Sequence, residues 1–438
     1  MAPGAKIQKL NSAEPPHDQL GALFSHYQTG RYEAAEKLAT AITGKYPRHQ
    51  LAWKILGAIL RQTGRLNESL AVKKKAVQFA PHDAEVHNNL GVSLREFGKL
   101  NEAKECYHQA ITLQPNFAEA HYNLANTLKE MGRLDEAEAS YTQAITLKPN
   151  YVSAIGNRWE LLFEQKRYLE ALSDAELCIS KGYFERDLTT LYALGRTEDI
   201  YNRIEARSKI DSENISIAAF AAFFAASQKN RNANNFCPDP LDFISVSNLS
   251  RQIDHSATYI EELITELDSV ATIWEPSEKS TVHGFQTAQG INLFSNPSGK
   301  IAQLKSIIIK ELHNYRLKFE NESCDYIQKF PTTNNLFGWH VVLKHQGHQS
   351  AHIHASGWLS GVIYLKVVPS LENHEGAIEF SLNGEYYHDA DSPSFIHQPE
   401  LGDIVFFPSS LHHRTIPFTT DTDRIIVSFD LAPNAATR

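Results

Sequence analysis

From about residue 18 to residue 182 the apolar and turn-forming positions return with a fixed period. Leu56, Leu90 and Leu124 are 34 residues apart, and the small residues Ala35, Ser69, Ala103, Ala137 and Ala171 keep the same interval. So do Gly30, Gly64, Gly98 and Gly132, and Pro47, Pro81, Pro115 and Pro149. Proline ends a helix and glycine supplies a tight turn. The pattern therefore predicts about four to five antiparallel helix pairs, each burying its apolar face on the next. In the last, degenerate member Lys166 stands where glycine is expected. Residues 183–230 continue as helix, including the alanine-rich IAAFAAFFAAS, and are expected to cap the stack. A polar stretch with two prolines, residues 231–240, reads as a linker, and residues 1–17 as a disordered lead-in.

The pattern then changes. Tyr259–Val270 and Ile301–Tyr315 have helical periodicity. After Phe337 come short runs rich in β-branched and aromatic residues: WHVVL, WLSGVIYLKVV, GAIEFSL, DIVFF and RIIVSFD. Turn residues separate them. Several short strands behind supporting helices predict a jelly-roll or barrel over residues 241–438.

The first period resembles the tetratricopeptide repeat. The expected architecture is thus multidomain: an all-α tetratricopeptide superhelix followed by a double-stranded β-helix (jelly-roll) domain with supporting helices. Composition agrees, since 438 residues exceed one typical domain. A net charge of −9 argues against nucleic-acid partners. Cys106, Cys178, Cys237 and Cys324 lie far apart with no CxxC, which suggests reduced, buried thiols. The N-terminus lacks an apolar leader and no long apolar run follows, so a cytoplasmic protein without membrane contact is expected.

Of the 20 histidines, half lie between His340 and His413. His352 and His354 are two residues apart before a strand-like run, a spacing that puts both imidazoles on one face of an extended chain. His412 and His413 follow a second strand and a Pro-Ser turn. A third imidazole from that remote strand closes one face of a metal ion and leaves the other open. Histidines standing alone, namely His340, His345, His374, His388 and His397, read as surface or hydrogen-bonded residues, and His348 as a loop residue that is a further candidate ligand. Trp339, Trp358 and Phe406 read as core.

HIHASGWLSGVIYL, GAIEF, GDIVFFPSSLHH and RIIVSFD together resemble the 2-oxoglutarate- and iron(II)-dependent oxygenases related to prolyl hydroxylases. The resemblance covers about residues 240–438 and implies iron(II), 2-oxoglutarate and dioxygen. By it His352 is the first metal ligand, His413 rather than His412 the distal one, and Arg424 the partner of the far carboxylate of 2-oxoglutarate. A planar guanidinium suits that carboxylate because it can bond both oxygens. Tyr364 is implied at the same carboxylate, with Ser360 and Ser428 at positions where relatives carry small hydroxyl residues. One position departs. The usual facial triad has an acidic residue two after the first histidine, and here that residue is His354. Three readings stay open: a three-histidine centre such as thiol dioxygenases use, a carboxylate from elsewhere (Glu375 or Glu379), or a degraded site.

Asn89, Asn123 and Asn157 are also 34 residues apart, on the first helix of successive repeats. The ladder resembles the superhelix of the O-linked N-acetylglucosamine transferase, where amides grip a peptide backbone. An amide both donates and accepts, so it matches a peptide bond. Bonding within the repeats is the other reading. The expectation is a hydroxylase acting on a protein or peptide side chain held by the repeats. Its rivals are a repeat-based scaffold with a redox-inactive jelly-roll, or a three-histidine dioxygenase not using 2-oxoglutarate.

Overall fold

The computed structural model describes residues 14–179, 185–230, 233–276, 279–369 and 373–434. Most of the expected lead-in lies outside them, as do residues 183–184 of the expected cap and 231–232 of the expected linker. The chain divides into two compact units, Met1–Cys178 and Ile179–Arg438.

The first unit is built of helix pairs: α1 (His17–Gln28) with α2 (Tyr32–Lys45), α3 (Gln50–Gln62) with α4 (Leu66–Phe79), and α5 (Ala84–Glu96) with α6 (Leu100–Leu113). α7 (Ala118–Glu130) pairs with α8 (Leu134–Leu147), and α9 (Val152–Glu164) with α10 (Tyr168–Ile179). The periodic residues do what their chemistry predicts. Gly30, Gly64, Gly98 and Gly132 take φ of 71, 75, 68 and 73° at the turn inside each pair. Lys166 adopts the same left-handed geometry, φ 59°, so the last repeat keeps its turn without glycine, at a cost of about 1 kcal/mol. The small residues Ala35, Ser69, Ala103, Ala137 and Ala171 are all buried where helices cross.

The second unit opens with α11 (Glu185–Ala193), α12 (Thr197–Ile210) and α13 (Ile215–Gln228). α13 has ten buried residues and no polar stripe, so it must be covered on all sides. Its Ile215 and Ala218 join the core of the sheet domain, and Phe223 packs on Tyr387 at 4.6 Å between ring centroids. The stretch expected to cap the repeats is thus part of the second unit's own core. Phe236 and Cys237, in the stretch expected as a linker, are buried in that core too.

Next come β1 (Ser245–Asn248), α14 (Ser256–Leu267), β2 (Thr272–Trp274), β3 (Thr281–Thr287), α15 (Gly299–Lys318) and the single turn α16 (Asp325–Gln328). The remaining strands are β4 (Leu336–Gln349), β5 (Leu359–Lys366), β6 (Ile378–Ser381), β7 (Ser394–His397), β8 (Asp403–Pro408), β9 (His412–Thr415) and β10 (Arg424–Leu431). They form a seven-stranded sheet in the order β1-β8-β5-β10-β4-β3-β2 and a three-stranded sheet β7-β6-β9. Every pairing is antiparallel, consistent with the expected double-stranded β-helix. Helices α14 and α15 bury Leu263, Leu304 and Ile308 in a core that holds Trp358 and Phe406. On β5, Gly361 faces Phe429 of β10, and a Cβ there would lie 2.2 Å from the ring, so only glycine lets that aromatic cross the strand. The four cysteines are free thiols. No helix among the described residues is long and apolar enough to cross a membrane.

Candidate metal centre

Three imidazoles converge where the segment after β4 meets the start of β9. His352 and His413 exchange backbone hydrogen bonds at 3.1 Å in both directions, and the His354 amide donates to Ser409 O at 3.0 Å. These bonds fix the HxH stretch as extended chain. Ile353 then packs into the core, and its two neighbours turn to the other side. One ring nitrogen from each of His352, His354 and His413 lies within 4.8 Å of the other two. It is the metal-capable histidine, cysteine or carboxylate cluster found among the described residues.

Each ring is oriented by its far nitrogen. Nδ1 of His352 donates to Ser350 O (2.6 Å), Nδ1 of His413 to Leu411 O (3.2 Å), and Nδ1 of His354 to Asp430 Oδ1 (2.5 Å). With the protons on Nδ1, the Nε2 lone pairs face inward, as a metal requires. Nε2 of His354 and Nε2 of His352 are 3.2 Å apart. Two lone pairs at that separation repel unless a cation lies between them, so the donor set fits a metal. Burial, then the neighbouring His354, pushes His352 down to about 3, and burial holds His413 well below the ordinary range. Both imidazoles are therefore neutral at pH 7, ready to bind metal.

Neither alternative carboxylate is near. Glu375 accepts from the Thr419 amide at 2.7 Å, and Glu379 pairs with Arg414 at 2.6 Å. His412, on the opposite face of β9 from His413, turns to the Tyr387 hydroxyl (3.4 Å). Of the lone histidines, His340 is buried against Thr287, His397 bonds Asp403 at 3.0 Å, and His348 bonds the Gln346 carbonyl.

A narrow cavity of about 20 Å³, room for about one water, joins the three histidines to Arg424 and Ser428. Arg424 is 1% exposed, and its Nε and Nη1 have no hydrogen-bond partner of good geometry. The buried Tyr364 hydroxyl has Arg424 as its neighbour and no partner of good geometry. Its ring centroid lies 5.0 Å from the guanidinium carbon. Burial pushes Tyr364 up to about 12, opposed by Arg424, and burial lowers Arg424, opposed by Tyr364. A buried cation with unused donors calls for an anion. A carboxylate would supply that charge.

Ser360 is placed differently from the expectation. It shares the inner face of β5 with Tyr364, but its Oγ bonds Asp430 Oδ1 (2.7 Å) and Ser409 Oγ (2.8 Å), beneath His354 and not in the arginine's pocket. Trp339, expected as core, lines both this cavity and a groove of about 400 Å³ that opens on His352 and His354 beside Phe337 and Gln289. Asp430 was not singled out by the sequence reading. Strand alternation could have found it, since Arg424, Ile426, Ser428 and Asp430 share one face of β10.

Residues 338–430 match the family model described as "Putative 2OG-Fe(II) oxygenase". Residues 25–84, 93–132 and 118–151 match tetratricopeptide-repeat models. The chain thus joins N-terminal tetratricopeptide repeats to a C-terminal segment that matches the oxygenase model, whose description names iron(II) and 2-oxoglutarate. No curated protein matches the chain. Among solved structures it is similar to MamA, with 21% identity over 40% of this chain and 96% of that one, TM-score 0.33. It is also similar to pilF of Pseudomonas aeruginosa, with 17% identity over 47% of this chain and 96% of that one, TM-score 0.40. A third is YrrB, titled a TPR protein with an unusual peptide-binding site, with 17% identity over 38% of this chain and 86% of that one, TM-score 0.32.

Proposed function

We propose that the second unit is a 2-oxoglutarate- and iron(II)-dependent dioxygenase that hydroxylates a protein or peptide side chain recruited by the repeats, in the cytoplasm. His352, His354 and His413 hold the iron. Arg424, with Tyr364 beside it and Ser428 on the same strand face, takes the far carboxylate of 2-oxoglutarate. The bound iron supplies oxidative decarboxylation of 2-oxoglutarate by dioxygen, coupled to hydroxylation of the substrate. The protein's own work is to keep three imidazoles aimed, to neutralise the co-substrate's charge inside an apolar wall, and to leave an open groove beside Trp339. The observation that carries this reading is the buried, unsatisfied Arg424 on the same cavity as the histidines. A scaffold, or a dioxygenase without 2-oxoglutarate, has no use for such a costly cation.

Asn89, Asn123 and Asn157 are proposed to hold an extended peptide. The Asn123 amide donates to Asn88 Oδ1 (2.9 Å), and Asn157 donates to Asn126 Oδ1 (2.9 Å). With the amide N–H of Asn123 and Asn157 engaged inside the repeats, the carbonyl oxygens of these two are the groups to meet a peptide N–H.

The test is succinate formation from 2-oxoglutarate by anaerobically iron-loaded protein after admission of oxygen. Wild type should produce it, His413→Ala should not, and Arg424→Ala should need far more 2-oxoglutarate. Wild type that binds no iron sinks the enzyme reading.

A further inference from the structure

A centre of three neutral imidazoles carries one more positive charge than two histidines and a carboxylate. The missing negative charge is present one imidazole away. Asp430 Oδ1 lies 2.5 Å from His354 Nδ1, and the same oxygen accepts from Ser360 Oγ at 2.7 Å. Ser360 is fully buried, and Ser409 at 2.8 Å holds its hydroxyl in place. The carboxylate is thus fixed against the back of the one ligand that replaces the usual acidic residue.

We propose that Asp430 is the charge-compensating carboxylate of this centre, acting on the metal through His354. It is a positioning residue with an electrostatic role. A charge-assisted hydrogen bond to Nδ1 puts negative charge on the imidazole and makes Nε2 a stronger donor, which holds the metal tighter and favours its higher oxidation state. β10 supplies this group at one end and Arg424 at the other, six residues along a single strand face, roughly 20 Å apart along the chain. One strand therefore sets both the charge at the metal and the charge at the co-substrate. The inference rests on the three-histidine iron reading above.

Asp430→Asn separates charge from shape, because an asparagine carbonyl still accepts from Nδ1. In full-length protein, iron(II) affinity and the iron(III)/iron(II) midpoint potential are measured without 2-oxoglutarate, for wild type, Asp430→Asn, Asp430→Ala and Ser360→Ala. Asp430→Asn should weaken iron(II) binding by about 10- to 100-fold and raise the midpoint potential. Ser360→Ala, which keeps the carboxylate but removes the hydroxyl that holds it, should shift the potential less than Asp430→Asn. If Asp430→Asn matches wild type in both readouts while Asp430→Ala loses affinity, Asp430 only orients the ring and the inference is overturned. Wild type that binds no iron overturns this inference and the oxygenase reading together. A potential shifted in Asp430→Asn, with no succinate from wild type, supports the inference and counts against the oxygenase reading alone.

Discussion

Arg424 and Tyr364 stand face to face in the interior of the sheet, the guanidinium carbon 5.0 Å from the ring centroid. They come from neighbouring strands whose ladder slips between Ile425 and Ile426, next to the arginine. A bulge there bends and twists the strand end. The result is a buried charge with no buried counter-charge beside it.

That arrangement predicts opposite effects with and without ligand. Arg424→Met should leave the apo protein as stable as wild type or more so, because each unsatisfied buried donor costs about 1–3 kcal/mol. Addition of 2-oxoglutarate with manganese(II) should raise the Tm of wild type, by about 2.7 kcal/mol of stability at 100 times Kd. Arg424→Met should show no rise. Thermal unfolding of the two proteins with and without ligand checks both halves, and an equal rise in the variant removes Arg424 from the site.

Tyr364→Phe isolates one hydroxyl. The ring keeps its place against Arg424, so apo stability should change by less than about 1 kcal/mol, while 2-oxoglutarate binding weakens about tenfold for the lost hydrogen bond. Calorimetric titration in the presence of manganese(II) reads this. Unchanged affinity would show that the phenol oxygen does not touch the co-substrate.

His412 and His413 give a sharper contrast, since they are adjacent in sequence and on opposite faces of β9. His413→Gln should abolish iron binding. His412→Gln should retain it, because that ring faces Tyr387. Iron content after anaerobic reconstitution decides, and iron lost from both variants to the same degree would remove the distinction.

How much of this was legible in the sequence follows from what each pattern encodes. Period 34 fixes helix pairing through local sterics, so the repeats and even the odd turn at Lys166 could be read directly. The spacing of two between His352 and His354 fixes a shared face, and the structure places His413 with them. α13 shows the limit: an all-apolar helix must be buried, but nothing in its own residues says against which unit. Ser360 shows another, because alternation gave its face and not its depth, and the depth puts it under His354. Asp430 was within reach of the same alternation. Its role became visible only when β10 and the HxH segment were brought together by pairing that is remote in sequence.

The repeat register also exposes an anomaly. Lys73, Tyr107 and Tyr141 occupy one position in successive repeats, and all three are buried. A Cβ on Gly91 would meet the Tyr107 ring at 2.7 Å, and one on Gly57 would meet the Lys73 side chain at 3.2 Å, so the lysine fills the tyrosine's slot. Its Nζ donates to Ser93 Oγ at 2.7 Å, and burial pulls its pKa from 10.5 down to about 8. The folded state therefore prefers neutral lysine. Its contribution to stability is fully present above the unfolded value, is lost as pH falls towards about 8, and below that leaves a cost of up to about 3 kcal/mol. Lys73→Met removes the charge and forfeits one hydrogen bond of about 1 kcal/mol. The repeat unit should then be about 2 kcal/mol more stable at pH 7. The gain should shrink as pH rises from 8 to 10.5. Calorimetric unfolding of full-length wild type and variant across that range checks the sign, and a gain independent of pH would mean that packing, not the buried charge, sets the difference.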